Sequence, residues 1–265
     1  MITTVKDIMT IAEKIAPPGL AADWDNTGLI IGRIDMPAKK ILFALDATDE
    51  VISEAVRIGA NIIITHHPIL FKPTNKIVSS SPLGATLLTL IENRIAALAM
   101  HTNLDAAEGG TNDVLAETLG ITDTLPLGEP PSMGRIGNLS EPMNLDAFAE
   151  RVKTALGLSS VRFCGDPASP IKRVCVVCGS GSDIDIFKQA VGAGADAYVT
   201  GDIRYHEAQR ALSIGLSLID ATHYASENLV IEKLKARFDA GLAGIGIETA
   251  ITETDGQVFK TTGGI

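Results

Sequence analysis

KKILFALDATDEVISEAVRIGANIIITHHP, residues 39–68, reads as a strand, a helix and a second strand. The apolar run in KKILFALDA is strand-sized, TDEVISEAVRIG has helical periodicity and stops at Gly59, and ANIIIT (60–65) is again strand. A strand joined to the next strand through a helix is the repeating unit of α/β layers with a largely parallel sheet.

The alternation continues outward from this stretch. SPLGATLLTLIENR reads as helix, IAALAM (95–100) as strand and NDVLAETLG as a short helix, before PLGEPPSMG (126–134) interrupts the rhythm as a linker. Beyond it come strand RIGNL, helix NLDAFAERVKTALG, strand SSVRFCG, and then KRVCVVCGSGSDIDIFKQAVGAGADAYVTGD (172–202). That last stretch repeats the pattern of 39–68, with Thr200 matching Thr65, and indicates an internal duplication. Helix HEAQRALSIG and strand LSLID follow, and the tail IETAITETDGQVFKT is expected to form a hairpin around Asp255-Gly256 and return to the first sheet. The domains expected are therefore 1–125 plus 241–265, and 126–240. At the start, Thr4 and Asp7 stand at capping-box spacing before an amphipathic helix that Pro17-Pro18 stops.

The chain has 265 residues, with 22 basic and 32 acidic side chains and a net charge of -10. Such a surface repels phosphate backbones and anionic membranes, which argues against nucleic acid as a partner. No run is long and apolar enough for a membrane span, and the N-terminus lacks the layout of a signal peptide, so a soluble, cytoplasmic protein is expected. Cys175 and Cys178 form a C-x-x-C inside strand-like KRVCVVCG. Side chains at i and i+3 of a strand point to opposite faces, so these read as buried structural thiols rather than a metal pair.

All five histidines, His66, His67, His101, His206 and His223, fall just after a predicted strand. In parallel α/β sheets the carboxyl ends of the strands form the crevice that binds ligands. Asp105 lies four residues beyond His101, and Glu227 four beyond His223, where a helix is expected to begin near Ala225. Imidazole with carboxylate and no thiolate suits Zn, Fe, Mn or Ni. Within a strand His66 and His67 would diverge, but at a strand end turning through Pro68 they can fan around two ions, one to each. His66, His67, Asp105, His223 and Glu227 are too few to saturate two ions, which leaves positions for water and substrate. His101 and His206 read either as orienting or proton-shuttling groups, and so as catalytic candidates, or as ordinary hydrogen-bonded residues. The glycine turn Gly179, Ser180, Gly181, Ser182 before a helix could cradle a substrate phosphate or be a tight turn. In WDNTGL (24–29), Asp25 or Asn26 could line a pocket, though turn chemistry is the simpler reading.

WDNTGLIIG, ITHHPILF, HTNLDAAEGG, the GSGS turn, GDIRYHEA and IDATHYASENL, in this order, closely resemble the Nif-three-like family, the type 2 GTP cyclohydrolase I homologs. The resemblance spans almost the whole chain. It implies two interlinked three-layer α/β/α domains of similar topology, a homo-hexameric ring with metal sites facing its interior, and two divalent metal ions per subunit. The implied ligands are His66, His67, Asp105, His223 and Glu227. One implied activity is hydrolytic opening of the guanine imidazole ring with release of formate. The function expected is a metal-dependent hydrolase acting on a nucleotide or another small phosphorylated molecule. The competing expectation is a non-enzymatic metal chaperone or partner-binding regulator.

Overall fold

The computed structural model describes residues 2–129 and 131–262. In chain order the elements are α1 (Val5–Ile15), β1 (Gly28–Ile31), β2 (Lys40–Ala44), α2 (Asp49–Ile58), β3 (Ile62–Thr65), α3 (Pro82–Glu92), β4 (Ala96–Ala99), α4 (Thr102–Ala106), α5 (Thr111–Thr118), β5 (Ile121–Pro126), β6 (Arg135–Asn144), α6 (Leu145–Ala155), β7 (Arg162–Cys164), β8 (Pro170–Val176), α7 (Ile184–Gly192), β9 (Ala197–Thr200), α8 (Tyr205–Ser213), β10 (Ser217–Asp220), α9 (His223–Glu227), α10 (Val230–Gly241) and β11 (Glu248–Ile251). They divide between two compact units, Met1–Ala107 with Ile231–Gly256, and Glu108–Val230 with Gln257–Ile265.

In the first unit the sheet order is β1-β4-β3-β2-β11. β4, β3, β2 and β11 are parallel, and β1 is an antiparallel edge. Both faces are covered, which is why β3 is buried along its whole length and carries three consecutive isoleucines rather than an alternating pattern. Leu42, Ala44, Ile63 and Ala97 meet Val51, Ile52 and Ala55 of α2 and Leu90 of α3 on one face. On the other, Phe43 stacks edgewise on Phe238 of α10 at 5.2 Å. Thr48 caps α2 by accepting from the Val51 amide at 3.3 Å, and Gly59, at φ 72°, closes it. At the N-terminus the expected capping box forms, the Thr4 amide donating to Asp7 at 2.7 Å.

The second unit has the order β5-β6-β8-β9-β10-β7, with β8, β9 and β10 parallel and the rest antiparallel. Here too the sheet lies between two helical layers. Val174, Val176, Cys178, Val199 and Ile219 face Leu115 of α5 and Phe148 and Val152 of α6. Cys175, Val177, Tyr198 and Leu218 face Phe187 of α7 and Ala211 of α8. The C-x-x-C thiols thus lie in different cores on opposite sides of the sheet, as strand alternation requires, and burial pushes the Cys175 thiol well above its ordinary pKa. Each unit is a three-layer α/β/α sandwich, and the succession β2-α2-β3-α3-β4 is matched by β8-α7-β9-α8-β10.

Several expectations change. Residues 126–134, of which Pro130 is outside the described residues, are not an interdomain linker: they join β5 to β6, an antiparallel pair in one sheet. Because β5 pairs with β6, and α5 packs on that sheet, both belong to the second unit, and the chain crosses over at 107/108 rather than 125/126. The return crossing at 230/231 hands almost all of α10 to the first unit. The expected first domain also includes Met1 and residues 263–265, which lie outside the described residues. The tail does return to the first sheet, as β11 beside β2, but among the described residues no hairpin follows. Instead the Thr252 and Thr254 hydroxyls and the Glu253 amide donate to the Glu54 carboxylate of α2, which draws the chain away from the sheet edge. WDNTGLIIG is more than a turn, since Gly28–Ile31 is strand β1, and α9 starts at His223 rather than near Ala225. Among the described residues, no helix is long and apolar enough to cross a membrane.

Candidate metal centre

β3 ends at Thr65 and is followed at once by His66 and His67; β4 ends at Ala99, two residues before His101. The parallel register sets Thr65 beside Ala99, so both loops leave the same carboxyl end of the sheet. The consequence is a group of three imidazoles, His66, His67 and His101, whose ligand atoms lie within 4.8 Å of one another. Asp105, at the end of the one-turn helix α4, brings Oδ1 to 3.6 Å from His66 Nε2.

Each ring is fixed from behind. His66 Nδ1 lies 2.9 Å from the Met100 carbonyl, His67 Nδ1 2.8 Å from Asp46 Oδ1, and His101 Nδ1 2.8 Å from Asp25 Oδ1. An oxygen acceptor opposite Nδ1 places the proton on that nitrogen, so the lone pair able to meet a cation is on Nε2. Asp25 also accepts from the Thr102 amide at 3.0 Å and from the Thr102 hydroxyl. Burial opposes its ionisation, but the hydrogen bonds from His101 and Thr102 outweigh burial and hold the carboxyl below the usual carboxylate range. Asp25 is therefore an anion that keeps His101 in one tautomer.

The second unit carries a similar group. His223 Nδ1 lies 2.8 Å from Asp202 Oδ2, and its Nε2 lies 3.1 Å from Glu227 Oε2 across one turn of α9. The hydrogen bond to Glu227 raises the His223 pKa, burial works against it, and Asp202 adds to the rise, giving about 9. Space here is tight. A Cβ on Gly179, which sits at φ 60°, would come 1.9 Å from Glu227 Oε1, and one on Gly201 would come 2.6 Å from the His223 amide nitrogen. Thr222, the N-cap of α9, has φ 60° and ψ 154°, a region of backbone space that is otherwise almost confined to glycine and costs about 1–3 kcal/mol.

The turn at 179–182 is not an open phosphate cradle. The Gly179 amide donates to Ser226 Oγ at 3.0 Å and the Gly181 amide to Thr200 Oγ1 at 3.0 Å, while Ser182 Oγ donates to the Gly201 carbonyl. The N-terminus of α7 is capped by the Asp183 carboxylate, which occupies the place an anion would take. At this turn the Gly179 backbone passes directly beside Glu227. His206 also stands apart: it is exposed on α8, its Nδ1 is 3.1 Å from Gln209 Oε1, and it joins neither group.

Three residues that hold the histidines were passed over or undervalued in the sequence. Asp25 reads as turn chemistry, and Asp46 and Asp202 are inconspicuous among 32 acids. The usable signal was positional, because Asp46 follows β2 and Asp202 follows β9, at the same strand ends that place the histidines.

A two-unit α/β protein with histidine–carboxylate groups able to hold a metal, each at the carboxyl ends of parallel strands, is the class that the fold and site define. The chain belongs to the family Duf34/NIF3 (NGG1p interacting factor 3), which matches residues 3–257. A GTP cyclohydrolase 1 type 2 homolog of Clostridium perfringens is 39% identical over 245 residues, covering 89% of this chain and 93% of that protein. Among solved structures, a Bacillus cereus protein related to NIF3 superposes with a TM-score of 0.92 at 26% identity, covering 98% of this chain and 99% of that one. A Staphylococcus aureus hypothetical protein, SA1388, gives a TM-score of 0.91 at 30% identity, covering 99% and 100%.

Proposed function

We propose that the protein is a metal-dependent hydrolase of a nucleotide or another small phosphorylated compound, similar in chemistry to a type 2 GTP cyclohydrolase I. Two divalent ions per subunit, drawn from Zn, Fe, Mn and Ni, would be held by His66, His67 and Asp105 of the first unit and by His223 and Glu227 of the second. One observation carries this reading: in His66, His67, His101 and His223 alike, Nδ1 faces an oxygen acceptor at 2.8 to 2.9 Å. Metal-ligating histidines are oriented in this way, with the remaining nitrogen presented to the ion and made more basic by the acceptor.

Ions of this kind acidify water from a pKa of 15.7 toward ~7 and so supply a nucleophile at neutral pH. The chain's own groups prepare the rest. Asp46 and Asp202 hold the rings of His67 and His223, and Asp25 holds His101 in the tautomer whose Nε2 lone pair is available to take a proton from a reacting group and return it. Relatives that carry the name GTP cyclohydrolase 1 type 2 homolog support a nucleotide as substrate. A homo-hexamer in the cytoplasm completes the proposal, and three free cysteines suit that reducing compartment. The test is turnover: metal-replete protein is expected to consume at least one member of a nucleotide panel, and Glu227→Ala to abolish this while the oligomer persists. Clean protein with its metal bound that leaves every nucleotide intact would overturn the hydrolase.

A further inference from the structure

Beside the three-histidine group of the first unit stand two large aromatic side chains that remain in water, Trp24 at 59% exposure and Phe71 at 51%. Their ring centroids are 5.8 Å apart. His101 lies edgewise to both, at 6.1 Å from Trp24 and 6.0 Å from Phe71, and is itself 5.1 Å from His66 and 5.6 Å from His67. The aromatic pair is thus continuous with the candidate metal ligands.

Both side chains sit on anchored backbone. Trp24 precedes Asp25, which is locked to His101 and Thr102, and Asn26 Nδ2 donates to the Leu70 carbonyl at 2.6 Å, tying the Trp24 loop to the Phe71 loop. The Ala22 amide donates to Thr102 Oγ1 at 2.9 Å on the other side. Phe259, by contrast, is exposed in a tail without secondary structure. Holding two aromatic faces in water at a fixed place beside a reaction centre makes sense for a planar partner, because an aromatic ring stacks on another with little regard to its substituents.

Resting on the metal-dependent reading above, we infer that Trp24 and Phe71, whose rings are inclined 58° to one another, form an aromatic platform on which the heteroaromatic base of the substrate stacks against Trp24 and meets Phe71 at an angle, beside His66, His67 and His101. Trp24 and Phe71 then determine specificity for a base-bearing substrate over a bare sugar phosphate. Binding to this platform needs the base, whereas the phosphate alone contributes nothing to it.

Trp24 is the single tryptophan of the chain, so its emission reports on this site alone. Metal-loaded, fully assembled protein would be titrated with guanosine monophosphate, adenosine monophosphate and ribose 5-phosphate, which share a phosphorylated ribose and differ in the base. Saturable quenching by at least one nucleotide with none by ribose 5-phosphate is the expected result. Trp24→Ala and Phe71→Ala should each weaken nucleotide binding about 5- to 100-fold by calorimetry, with bound metal unchanged by element analysis and Trp24→Phe recovering most of the loss. Equal quenching by ribose 5-phosphate, or unaltered emission at saturating nucleotide, overturns the platform. So does failure of acrylamide to reach Trp24 in the native assembly, which would mean that another copy of the chain covers this face. Should Trp24→Ala not fold, the wild-type titration and Phe71→Leu decide. The two readings fail separately: quenching without turnover removes the hydrolase and keeps the platform, and turnover with unchanged emission does the reverse.

Discussion

The two units place ligands and supports at matching strand ends but exchange their roles. After the third parallel strand both do the same thing. β4 leads to His101, a one-turn helix and Asp105; β10 leads to His223, a one-turn helix and Glu227. After the middle strand they diverge. Thr65 is followed by the ligand candidates His66 and His67, whereas Thr200 is followed by Gly201, whose lack of a side chain lets the His223 backbone come close, and by Asp202, which orients His223. Past the first strand the exchange runs again, since Asp46 supports His67 while Gly179 makes room for Glu227. A duplicated framework thus offers six strand ends, and what each one does depends on which neighbour needs a ligand and which needs a support.

The largest expected effect is at Gly179. Gly179→Ala forces a Cβ into a left-handed backbone and against the Glu227 carboxylate, and should cost about 3 kcal/mol in denaturant unfolding of the metal-free protein. Asp46→Ala, at the matching place in the first unit, should cost less than ~1 kcal/mol because the Asp46 side chain is partly exposed. Equal losses at the two positions would break the comparison. Second in size is metal affinity: Asp46→Ala and Asp202→Ala should each weaken binding about 10- to 100-fold in a chelator competition, as loss of a ring-orienting carboxylate does. An effect from only one of them would show that only one unit holds a metal.

A smaller effect, of opposite sign, is expected at Thr222. Thr222→Gly releases the backbone strain at the start of α9 and gives up a weak cap, the Ala225 amide donating to Thr222 Oγ1 at 3.4 Å. The metal-free protein should gain about 1 kcal/mol, read from the unfolding midpoint. A loss of stability would mean that the hydroxyl matters more than the strain. The smallest effect is a pair of pH limits. Without metal, His223 keeps its proton to about 9 when folded and to its ordinary 6.5 when unfolded. Its contribution is therefore full below 6.5 and lost as pH rises through about 9. The depressed Asp25 behaves in the opposite sense, contributing above the ordinary carboxylate value of 3.8 and losing that contribution in stronger acid. Amide exchange of metal-free protein should open the second unit first in alkali and the first unit first in acid; the same order at both ends would contradict this.

The alternating layers were legible because short, largely apolar and β-branched runs such as IIIT and AYVT have few other uses, and because Gly59 and Pro82 punctuate the helices where the periodicity does. The histidines were legible through their position after strands. What was not legible depended on contacts between distant segments. The short strands β1 and β5 pair with partners that local sequence does not announce, and the tail after β11 is diverted by Glu54, about two hundred residues away. The GSGS turn looked like an anion site because glycine permits both a cradle and a close approach, and only the position of Glu227 distinguishes them. Asp25 looked like turn chemistry because its partner His101 is 76 residues further on.

The most direct test is a crystal grown with metal and measured at that metal's absorption edge. Anomalous peaks for two ions in each subunit, bound through Nε2 of His66, His67 and His223 and through the carboxylates of Asp105 and Glu227, are the predicted result. Coordination through Nδ1, or no anomalous signal at these side chains in protein saturated with metal, would contradict it.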